Sequence, residues 1–148
     1  MTYSLLLLAH LIAATIWTGG HIVLCLVILP KVLKAKSPEM LLDFEQAFEK
    51  VGMPALIIQV ITGLLLAYHW LPDVSLWFSM NNPISHGIAG KLLLLALTFG
   101  LALDAKLRVL PKLSSNNLWD MALHIIAVTF LSVGFVALGL SFRLAWFA

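Results

Sequence analysis

Five histidines stand in or beside otherwise aliphatic stretches of this chain, at positions 10, 21, 69, 86 and 124. A neutral imidazole offers one nitrogen as a lone-pair ligand while the other donates a hydrogen bond. His10 and His21 are eleven residues apart. At about 100° per residue in a helix, that spacing comes to within roughly 20° of whole turns and separates them by about 16 Å along the axis. They therefore share one face at two depths. That is the pattern of a helix supplying axial ligands to two stacked b-type haems. The same histidines suit copper, with Met80 as a soft thioether ligand for Cu(I). The competing reading is plainer: a histidine between apolar helices bonds one helix to the next, or lies at an interface.

Other residues bear on the same chemistry. Lys91 follows Gly90 within an apolar run and has no carboxylate near it in sequence. It either snorkels to the surface or binds an anionic group, such as a haem propionate or a quinone oxygen. Asp104 and Arg108 are spaced i, i+4, which reads as an ion pair near a helix end. Gly19 and Gly20 sit between the two histidines of the first run, where small residues let a helix or a flat cofactor come close. Cys25 is the only cysteine, so no intrachain disulfide or CxxC site exists, and its apolar setting fits an inert packed thiol.

The elements that position these residues follow from composition. Of 148 residues, 61% are hydrophobic and 11% charged, with a mean hydropathy of +1.02. A soluble domain holds about 45–50% apolar and about 25% charged residues. The excess implies lipid as solvent. A helical span needs about 20 apolar residues, and four such runs stand at about 4–29, 51–70, 87–110 and 118–143. The expectation is an all-α integral membrane protein: one domain, a four-helix bundle running up-down-up-down. The N-terminal run lacks a basic leader and is too long for a signal peptide, so it reads as a retained first helix.

Ser37-Pro38 is a helix start, with Leu41, Leu42, Phe44 and Phe48 giving an apolar stripe after it. That predicts a short amphipathic helix in the first loop, or an extension of span two. Asn117 reads as the cap of span four, with Asp120 three residues on. The net charge of +2 forms no patch suited to nucleic acid.

Basic residues set the expected orientation. Lys31, Lys34, Lys36 and Lys50 lie in the first loop, and Lys106, Arg108 and Lys112 at the third; the other side has Arg143. By the positive-inside rule the first and third loops are cytoplasmic, both termini lie on the outer side, and the setting is a bacterial inner membrane. Depth then sorts the histidines into an outer set, His10, His69 and His86, and an inner pair, His21 and His124.

At these residues a family resemblance emerges. LLAHLIAATIWTGGHIVLCLVILP resembles the opening helix of the copper-resistance protein D (CopD) family, and HGIAGKLLLLALTFGLALDAKLRVLPKL resembles its third-helix pattern, through Gly90, Lys91, Arg108 and Pro111. The same stretches are similar to HemJ, a protoporphyrinogen oxidase family, whose first-helix His and third-helix Lys fall on His10 and Lys91. LALDAKLRVL departs from HemJ, which has an aromatic, His-containing run after the Lys. The HemJ resemblance implies a b-type haem.

Taken together, the expectation is a small CopD-like protein binding haem b or copper through His10 with His69 or His86, and His21 with His124. Its role would be redox or copper handling, with a quinone or an outer-face redox or copper protein as partner. HemJ-like porphyrinogen oxidation and a cofactor-free assembly subunit are the alternatives. A homo-oligomer is left open.

Overall fold

The computed structural model describes residues 2–144, apart from the side chain of Arg143. Four long helices dominate it: α1 (Thr2–Ala35), α2 (Pro38–Trp70), α3 (Pro83–Lys112) and α4 (Leu118–Leu144). Each contains one of the apolar runs and extends past it. The chain is a multi-pass membrane protein with an all-α, four-helix architecture. Large apolar side chains point outward on every helix, among them Leu11, Ile57, Phe99 and Phe130. Water would penalise such a surface; a bilayer does not.

The helix boundaries have local causes. Lys36 takes a left-handed conformation, φ 51°, and ends α1. Ser37 then caps α2, its hydroxyl accepting from the Met40 amide at 3.4 Å, with Pro38 at the first position. Segment 38–50 is continuous with span two through Pro54, so it extends that span and is not a separate surface helix. Its stripe faces α1: Leu41 is wholly buried, and Phe48 lies against Gly20 of α1. Helix α3 starts three residues before His86, where Asn82 and Ser85 form a capping box. Asn117 does not play the expected capping part. Its side chain turns back to accept from the Ser114 amide at 2.7 Å and to donate to the Lys112 carbonyl at 2.6 Å.

Helices α1 and α3 share an irregularity. Each widens into a π-turn, over Leu24–Ile28 and Ala105–Val109. Each turn ends two residues before a proline, Pro30 or Pro111. Proline donates no hydrogen bond and crowds the carbonyl four residues back, here that of Leu26 or Leu107. The wider turn accommodates both effects.

The best-buried apolar cluster draws on all four helices, with Leu24, Val32, Leu41, Val109, Met121 and Ala122 among its members. It lies at the end holding the α1–α2 and α3–α4 links, called here the basic end. Cys25 packs against it, as its apolar setting predicts. A Glu49–Lys106 ion pair at 3.7 Å bridges α2 and α3 there. The most extensive packing joins α1 to α2 and α3 to α4, and α1 lies on α4. Helices α2 and α3 make little direct contact, which leaves their seam the least closed in the bundle.

Candidate functional site around His10

His10 lies on α1, half-buried and turned toward α2. Its Nδ1 is 2.9 Å from the Thr62 hydroxyl oxygen. That hydroxyl donates to the Ile58 carbonyl at 2.6 Å, so its oxygen accepts from the ring. Nδ1 therefore carries the proton, and the Nε2 lone pair is left open. The ring also lies over Gly63, where a Cβ would come within 3.1 Å of Cε1. A larger residue at 63 would push the imidazole away. Lys91, from α3, is within electrostatic reach of the same ring. Its ammonium is 5.0 Å from the centre of the Phe142 ring and would be 3.8 Å from a Cβ at Gly139. Neither neighbour carries a negative charge, and among the described residues no carboxylate pairs with it. An oriented imidazole and a cation with no carboxylate partner among the described residues thus lie within electrostatic reach of each other in the apolar part of the bundle.

The other histidines are set differently. His21 faces α2 as well, as its eleven-residue spacing from His10 requires. Its Nδ1 donates to the Trp17 carbonyl at 2.9 Å, and its ring packs against Trp17 and Phe48 at centroid distances of 4.3 and 5.6 Å. His124 is buried on α4 and directs its ring to α3. Its Nδ1 meets the Asp120 carbonyl at 2.8 Å and its Nε2 meets Asp104 Oδ2 at 2.7 Å. Arg108 grips Asp104 with two hydrogen bonds, of 2.8 and 2.7 Å, and reaches Asp120 at 2.8 Å. The expected Asp104–Arg108 pair is thus part of a four-residue cluster tying α3 to α4.

The other members of the expected outer set have contacts of their own. His69 stacks on Tyr3 at 4.9 Å, seven residues beyond the His10–Thr62 contact along both helices. That is roughly 10 Å further toward the terminal end. His86 donates from Nε2 to the Met80 carbonyl at 3.0 Å, in the α2–α3 loop. Met80 meets it through backbone oxygen rather than sulfur. His10 and His69 thus have separate contacts, with Thr62 and with Tyr3. In the inner pair His21 turns to α2, while the nitrogens of His124 meet oxygens of Asp120 and Asp104. Depth counted along a sequence says nothing about which neighbour a helix face meets.

No protein-family profile, curated protein or solved structure matches this chain. The site has to be judged on its own chemistry. Among the described residues, no three or more His, Cys, Asp or Glu side chains form a group placed to hold a metal ion. What His10 and Lys91 provide is one nitrogen ligand and one cation. A b-type haem would draw its nitrogen ligand from His10 and a positive partner for one propionate from Lys91. Thr62 and Gly63 were missed from sequence. The only signal was a hydroxyl next to a glycine in the middle of an apolar run.

Proposed function

We propose that this chain is a small CopD-like redox protein of the membrane, holding a b-type haem through His10. The observation that carries the proposal is the Thr62 hydrogen bond, which fixes the His10 tautomer and leaves Nε2 as the ligand. Lys91 supplies the charge for a propionate. Bound haem supplies one-electron transfer; the protein's part is to orient the imidazole, compensate the carboxylate and exclude water. The same two residues support HemJ-like porphyrinogen oxidation as the second reading, because the resemblance to that family falls on His10 and Lys91. The setting is a bacterial inner membrane with the basic end in the cytoplasm.

The test is the visible spectrum of protein produced with ample haem. A Soret band and a reduced α band are expected, and both should vanish in His10→Ala. Thr62→Val should weaken haem affinity by about 10–100-fold, as loss of a ligand's hydrogen-bond partner does. A colourless wild-type protein rules haem out, and metal analysis of the same sample then decides copper. Rescue of a strain lacking protoporphyrinogen oxidation separates the second reading from the first.

A further inference from the structure

A cavity of about 390 Å³ opens at the terminal end between the start of α1 and the end of α2. Leu6, Leu65 and Pro72 give it apolar walls, and Tyr3, Tyr68 and His69 bring two phenols and an imidazole. The Tyr3 and His69 rings are tilted by 32° with centroids 4.9 Å apart. Neither phenol hydroxyl nor either nitrogen of His69 has a hydrogen-bond partner among the described residues. These unpaired polar groups, with the Thr2 hydroxyl, therefore line one apolar-walled space. Lipid-facing Leu5 and Leu8 flank it on α1, so a ligand can arrive from the bilayer.

We propose that this cavity binds the head of a membrane-soluble quinone. A quinone is a flat, uncharged ring with carbonyl acceptors and an isoprenoid tail. Its carbonyls suit phenol and imidazole donors, its ring suits the Tyr3–His69 stack, and its tail suits the leucine walls. A phospholipid head fits less well, because its phosphate needs a cation and no Lys or Arg is among the residues lining the cavity. The cavity lies roughly 10 Å outward of His10 along α1. The quinone's role as electron partner rests on the redox reading of His10; its binding does not.

The experiment uses the full chain in lipid nanodiscs, without added haem, and a benzoquinone carrying one isoprene unit. Saturable binding is expected. An azido derivative should label the first two turns of α1 and the last two of α2, and unlabelled quinone should compete. His69→Phe keeps the stacked ring and removes its nitrogens; it should weaken binding about five-fold, the worth of one hydrogen bond. Leu65→Trp fills the cavity and should abolish saturable binding, with helicity checked by circular dichroism. His10→Ala should bind quinone like wild type, which separates failure here from failure of the haem site. Four results overturn the assignment: no saturable binding, label elsewhere, unchanged affinity in His69→Phe, or equal competition by phosphoglycerol headgroups. If Leu65→Trp misfolds, labelling and His69→Phe decide.

Discussion

What Nδ1 does decides what each intramembrane histidine can offer. At His10 and His21 it donates to an oxygen on a helix, and Nε2 stays available. At His124 both nitrogens meet oxygens of acidic residues, and the ring works as a clamp. The Arg108 guanidinium meets both carboxylates, Asp104 and Asp120. Replacing His124 by Leu removes two hydrogen bonds from a buried position and should lower stability by about 1–3 kcal/mol, read from unfolding in detergent. Arg108→Lys should also weaken the clamp, because an ammonium cannot grip Asp104 with a fork. An unchanged unfolding midpoint in both variants would mean that the cluster does not hold α3 to α4. The Asp104–Arg108 pair was legible because i, i+4 neighbours meet on any helix. Asp120 and His124 were not, because their meeting with Asp104 depends on how α4 is set against α3. Thr62 was hidden for the same reason: it matters only once α2 is placed beside His10.

Glycines and prolines shape the elements more than the apolar pattern does. Phe48 fills the notch at Gly20, where an added Cβ would strike its ring, whereas a Cβ at neighbouring Gly19 would meet nothing within 4 Å. Gly20→Leu should therefore cost about 1–3 kcal/mol through overpacking. Gly19→Ala should be neutral or stabilising by up to about 1 kcal/mol, since alanine favours the helix. Thermal unfolding of the two variants side by side checks the contrast; equal effects would place Phe48 elsewhere. The sequence located the four runs and the Ser37 cap, because hydropathy and capping are local. It left segment 38–50 between a surface helix and an extension of α2. Only the packing of Leu41 and Phe48 on α1 decides that. Two adjacent glycines looked alike in sequence, and only the neighbouring helix distinguishes them.

Over the whole molecule, charge and packing are both uneven. Basic residues crowd the end with the two short links, and α2 and α3 are joined to the bundle mainly through α1 and α4. If the basic end is cytoplasmic, a cysteine at Val74 in the α2–α3 loop should react in intact cells with a thiol reagent that cannot cross membranes. One at Lys36 should react only after permeabilisation, with Cys25→Ser as background. The reverse pattern would invert the orientation. Fold class was readable at this scale because four apolar runs with short links leave few arrangements. The order of contact was not, since it rests on small residues and ring positions that composition does not reveal.

That order also bears on how the protein is made. Helices α1 and α2 form one tightly packed hairpin and α3 and α4 another, joined by the loop from 71 to 82. During synthesis the insertion machinery therefore meets two cargoes in succession, and the apolar cluster drawn from all four helices closes after the second. His10 and Lys91 belong to different cargoes. Their approach comes about only when the second hairpin docks, so it marks a completed molecule.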